Sequence, residues 1–130
     1  MAKILVVDDD TALVEAVSEV LRSRGHTVVA AYNGEQGYQQ AHAERPDLML
    51  LDVMMTRDNE GFDIARRLKE DPVTRDLPVI IITGIRKAKR LPFRFEPDED
   101  WLPVKAVLEK PLAPEVLLKH VDEILAGTGS

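Results

Sequence analysis

Three runs of this chain are apolar at every position: Ile4 to Val7, Leu48 to Leu51 and Val79 to Ile82. A strand with one wet face alternates apolar and polar residues. An uninterrupted run of aliphatic residues therefore predicts a strand covered on both sides, as in a parallel sheet with helices on each face. Two further runs, Thr27 to Ala31 and Ala106 to Leu108, bring the predicted strands to five.

Between the strands the apolar spacing becomes helical. Leu13, Val17, Val20 and Leu21 share one face, with Asp10 or Thr11 as N-cap and Gly25 as the stop. A second helix starts after Asn33-Gly34 and ends before Pro46; a third carries Ile64, Ala65 and Leu68 and stops near Asp71-Pro72. The last has Pro114 in its first turn and a buried stripe of Leu117, Leu118, Val121, Ile124 and Leu125. Strand and helix in alternation predict a doubly wound α/β sandwich. The stretch from Gly84 to Lys105 fits least well, because Pro92, Pro97 and Pro103 oppose a regular helix there.

Length and composition narrow the function. At 130 residues the chain fits one domain, expected over 1–126 with a disordered tail at 127–130. A net charge of −6 argues against nucleic acid as a direct partner. The absence of cysteine removes disulfides, thiolate chemistry and Cys-ligated zinc. No apolar run approaches the roughly 20 residues that span a bilayer, so membrane insertion is not expected. The first residues lack a signal-peptide pattern, and a soluble cytoplasmic domain is the expectation.

In such a sheet ligands bind beyond the carboxyl ends of the strands, where strand order reverses. Strand one is followed by Asp8 and Asp9, strand three by Asp52, strand four by Thr83, and strand five by Glu109 and Lys110. Converging carboxylates repel one another unless a cation joins them. An all-oxygen site with open positions suits Mg²⁺, which keeps waters and accepts phosphate oxygens. An Asp there can attack phosphorus, while a hydroxyl and an ammonium stabilise the transferred oxygens. Asp10 reads instead as a helix cap. The histidines His26, His42 and His120 have no ligand spacing and are assigned no role.

The motifs "ILVVDDD", "LMLLDVMM", "VIIITG" and "VLEKP", in this order, resemble the response-regulator receiver family of two-component signalling, the CheY-like phosphoacceptors. The resemblance covers nearly the whole chain. It implies a flavodoxin-like five-stranded parallel sheet of order 2-1-3-4-5, with an irregular helical region between strands four and five. It implies phosphorylation on Asp52. Asp9 would hold Mg²⁺ directly, Asp8 would support it through water, and the Met54 backbone carbonyl would add a ligand. Thr83 would hydrogen-bond the phosphoryl group and Lys110 would pair with its charge. The implied phosphodonor is a sensor histidine kinase or a histidine phosphotransfer protein.

Several positions depart from that family. Thr56 stands where receivers usually carry Pro, and Val107 replaces the aromatic whose rotation accompanies switching in relatives. Residues 84–105 pair a basic "RKAKR" with an acidic "EPDED", with Phe93, Phe95 and Trp101 interleaved, and are read as a surface adapted to a specific output partner. Met54 and Ile85, two beyond Asp52 and Thr83, are apolar and imply a long-lived phosphoryl state. The expectation is a stand-alone receiver that is no turnover enzyme. The competing readings are a haloacid-dehalogenase-like phosphohydrolase and a degenerate receiver acting only as an interaction module. The hydrolase would need an Asp two residues beyond its nucleophile. After Asp52 that position is Met54, so only Asp8 with Asp10 fits the spacing.

Overall fold

A sheet whose central strands are apolar throughout must be sandwiched, and the computed structural model has that form. It describes residues 2–52, 60–84, 104–110 and 113–128. Strands β1 (Lys3–Val7), β2 (Thr27–Ala31), β3 (Leu48–Asp52), β4 (Val79–Gly84) and β5 (Val104–Lys110) form one parallel sheet of order β2-β1-β3-β4-β5. The doubly wound sheet and its order agree with expectation. Strand β5 runs beyond the three residues predicted for it, and Lys105 forms a bulge, since Val79 pairs with Val104 and Ile80 with Ala106. The two ends of the 84–105 stretch are therefore strand, while the irregular helical region expected inside it lies outside the described residues.

Alternation along each strand sorts the apolar side chains into two cores. Leu5, Val7, Met49, Leu51, Val79 and Ile81 face α2 (Gly34–Glu44) and α3 (Glu60–Glu70), where Ala41, Ile64 and Leu68 meet them. Ile4, Val6, Leu48, Leu50, Ile80 and Ile82 face α1 (Thr11–Ser23) and α4 (Pro114–Thr128), meeting Val14, Val17, Leu21, Leu117 and Val121. This two-sided burial explains why these runs carry no polar residue. Helix α4 continues through Thr128, and residues 129 and 130 lie outside the described residues.

The helix ends follow local chemistry. Asp10 caps α1, its Oδ1 accepting the Leu13 N–H at 3.1 Å. Gly25, at φ 85°, turns the chain after α1. Asn33 caps α2 through the Gln36 N–H at 2.8 Å, and Gln36 returns its Oε1 to the Tyr32 N–H at 3.0 Å. Helix α2 ends without a glycine: Arg45 takes the left-handed conformation itself, at φ 46° and ψ 61°.

The chain enters the sheet at β1, moves to β2 on one side, and then crosses back to β3 on the other. The carboxyl ends of β1 and β3 therefore flank the point where the winding reverses.

Candidate functional site

Asp8 directly follows β1 and Asp52 is the last residue of β3, so the topology brings them together across the reversal point. Both are buried, at 1% and 2% exposure, at the carboxyl end of the sheet. Asp9 is exposed beside them. One carboxylate oxygen from each of Asp8, Asp9 and Asp52 lies within 4.8 Å of the other two.

Backbone geometry fixes Asp8. Its N–H donates to the Ala31 carbonyl at 3.1 Å, extending the β1–β2 ladder by one residue. Its Oδ1 accepts the Asp10 N–H at 2.9 Å, closing a local turn. Asp10 in turn spends its own carboxylate on the α1 cap. The run of acids thus divides as expected: Asp8 and Asp9 at the cluster, Asp10 at the helix. The Ala31 carbonyl and the Asp10 N–H are supports that residue types alone do not reveal; the β1–β2 register is what exposes them.

The remaining predicted residues are placed by backbone register. Asp52 pairs with Ile82, so Thr83 stands one residue further along β4, opposite Glu109 on β5. Lys110 stands opposite Gly84 at the end of β5, and Val107 opposite Ile81. Thr83 and Lys110 are therefore at the same carboxyl rim as Asp52. Met54, Thr56, Ile85 and Pro111 lie outside the described residues.

The donor set fits a hard cation. Among the described residues it consists of carboxylate oxygens, which suit Mg²⁺, Ca²⁺ or Mn²⁺ and do not suit a soft metal. Carboxylates that converge repel one another when ionised, and a divalent ion bound among them would offset that repulsion. The exposed Asp9 leaves the cluster open toward solvent. A hollow of about 700 Å³ lies elsewhere, lined by residues including Ala2, His26, Arg45, Asp47, Asp76 and Asp122. Its polar groups are partly engaged in holding the chain: His26 Nδ1 accepts the Ala2 N–H at 3.1 Å, and Asp47 Oδ2 accepts the Lys3 N–H at 2.8 Å. The carboxylate cluster is the better site on chemical grounds. No helix among the described residues is long and apolar enough to cross a membrane.

Comparison with known proteins agrees with this geometry. The family model for the response regulator receiver domain matches residues 4–122. Protein PilH of Pseudomonas aeruginosa is 36% identical over 130 residues, covering 98% of this chain and 100% of PilH. The DNA-binding dual master transcriptional regulator RpaA of Synechocystis is 33% identical over 128 residues, covering 98% of this chain but 51% of RpaA. Among solved structures, the signal receiver domain of a signal transduction histidine kinase from Syntrophus aciditrophicus superposes with a TM-score of 0.79 at 28% identity, over 98% of this chain and 92% of that one.

Proposed function

Because this chain belongs to the response regulator receiver family, we propose that it accepts a phosphoryl group on Asp52 from a phosphohistidine donor in a Mg²⁺-dependent reaction. The observation that carries the reading is the convergence of Asp8, Asp9 and Asp52 at the reversal point of the sheet. An Asp52 oxygen attacks phosphorus, the P–N bond to the donor imidazole breaks as the P–O bond forms, and the released imidazole takes up a proton. Asp8, Asp9 and Asp52 would hold the ion, with the Met54 carbonyl as the further ligand the family implies. A bound Mg²⁺ supplies charge neutralisation for the transferred oxygens. Thr83 would hydrogen-bond one of those oxygens and Lys110 would pair with their charge.

The donor is a sensor histidine kinase or a histidine phosphotransfer protein, and the output is phosphorylation-dependent binding or phosphorelay. Residues 84–105 are the proposed contact for the output partner. The chemistry is self-modification and not turnover of a free substrate. A second reading, an interaction module indifferent to phosphorylation, draws on Val107, which supplies no ring on β5 for a rotamer switch.

Intact-mass measurement after incubation with acetyl phosphate separates the two. One phosphoryl adduct on the wild type, not formed when Mg²⁺ is chelated beforehand and absent from Asp52→Asn, is expected. An unmodified wild type across several acyl phosphates and metals would overturn the phosphoacceptor reading.

A further inference from the structure

We infer that Gln36 is a positioning residue of the carboxylate cluster, acting on Asp8 through the peptide group between Ala31 and Tyr32; this rests on the cation-site reading above. Asp8 stands one residue past the last paired position of β1, Val7, which faces Ala31. Its N–H donates to the Ala31 carbonyl at 3.1 Å, the outermost rung between β1 and β2. A terminal rung has a neighbouring rung on one side only, so the tilt of the Ala31 carbonyl bears directly on where Asp8 sits.

A trans peptide is planar, with its C=O and N–H pointing in opposite directions. The Ala31 carbonyl points toward β1, so the Tyr32 N–H of the same peptide points outward, and β2 is the outer strand of the sheet. Among the described residues no further strand accepts it there. Gln36 Oε1 does so instead, at 3.0 Å. An ordinary capping box closes on the N–H of the N-cap residue itself. Gln36 reaches one residue further back, past the Asn33 cap, to Tyr32. Its own backbone is fixed in turn, the Gln36 N–H donating to Asn33 Oδ1 at 2.8 Å. One chain of hydrogen bonds thus runs from α2 through a single rigid plane to Asp8, each bond polarising the next. Water can accept the Tyr32 N–H in place of Gln36, but an exchanging water does not hold the tilt of the plane. Without Gln36 the Ala31 carbonyl turns, the Asp8 rung lengthens, and Asp8 drifts from its place beside Asp9 and Asp52.

The test is Mg²⁺ binding by calorimetry, with the Asp8 amide proton followed by NMR in the metal-free protein. Gln36→Met keeps the length and helix propensity of the side chain and removes its oxygen, so circular dichroism should stay native. The Asp8 amide proton should move upfield as its bond lengthens. Mg²⁺ affinity should fall ~5-fold, less than the ~10-fold or more that follows loss of a ligand's direct partner. Gln36→Glu restores an oxygen at the same reach and should return both readouts to wild type. Asn33→Ala removes the α2 cap and should lower the urea midpoint, with the Asp8 proton and the affinity unmoved. Wild-type affinity or an unmoved Asp8 proton in Gln36→Met overturns the inference. Equal losses in Asn33→Ala overturn it too, because they would trace the effect to fraying of α2. A wild-type chain that takes up no Mg²⁺ refutes the cation site, and the Asp8 proton, read without metal, then decides alone whether Gln36 positions that residue.

Discussion

Tyr38 donates its hydroxyl hydrogen to Asp71 Oδ2 at 2.6 Å, tying the middle of α2 to the end of α3. The bond holds the Asp71 carboxyl below the usual carboxylate range, helped by the Val73 N–H, and pushes the Tyr38 phenol up. The lowered Asp71 contributes stability that is complete above the ordinary carboxylate range and lost as pH falls through its folded value, below ~4. The raised Tyr38 contributes stability present at neutral pH and lost as pH rises through its folded value, above ~10. Tyr38→Phe should therefore lower the urea midpoint at neutral pH, with the gap to wild type closing at both extremes. A gap that persists unchanged in acid would contradict this.

Asp10 and Asp9 should separate cleanly under mutation. Asp10→Ala removes the α1 cap and should cost about 1 kcal/mol in denaturant unfolding, with Mg²⁺ affinity retained. Asp9→Ala should leave stability nearly untouched and weaken Mg²⁺ binding. Loss of Mg²⁺ affinity in Asp10→Ala with none in Asp9→Ala would reverse the assignment of the two residues.

Asp8→Asn keeps an oxygen to accept the Asp10 N–H while removing one buried negative charge. The metal-free variant should melt above metal-free wild type, because a like charge beside Asp52 has gone. Wild type should gain about 2.7 kcal/mol at a Mg²⁺ concentration of about 100 times Kd, and Asp8→Asn much less. Equal Mg²⁺ stabilisation of both proteins would place the ion elsewhere.

Arg45 closes α2 in the left-handed region without being glycine. Arg45→Gly should stabilise the protein by about 1 kcal/mol, read as a higher urea midpoint with unchanged slope. A lower midpoint would mean that the arginine side chain contributes more than the backbone strain costs.

The parts of the fold legible in advance are those where one physical demand acts alone. Burial on both faces leaves Ile4–Val7, Leu48–Leu51 and Val79–Ile82 apolar at every position, and the carboxyl ends of β1 and β3 then place Asp8, Asp9 and Asp52 on one rim. The apolar pattern of strand β5 spans only three residues because Lys105, Glu109 and Lys110 interrupt it, although the strand pairs with β4 from Val104 to Lys110 around the bulge at Lys105. The ties between α2 and α3 join residues about 30 positions apart, such as Glu35 with Arg67, and only helix packing reveals them. His42 falls in the same group: assigned no role by spacing, it lies with Nε2 3.6 Å from Asp71 Oδ2. The end of α2 at Arg45 carries no glycine signal, so Pro46 alone marked it.

The central claim is that Asp52 is the phosphoacceptor, and locating the phosphoryl group tests it most directly. Protein charged with acetyl phosphate and Mg²⁺ is reduced with borohydride, which converts an aspartyl phosphate to homoserine, and is then sequenced by tandem mass spectrometry. The account predicts homoserine in place of Asp52 alone, and none when Mg²⁺ is chelated. Homoserine in place of Asp8 or Asp9, or an unmodified Asp52 across several donors and metals, would contradict it.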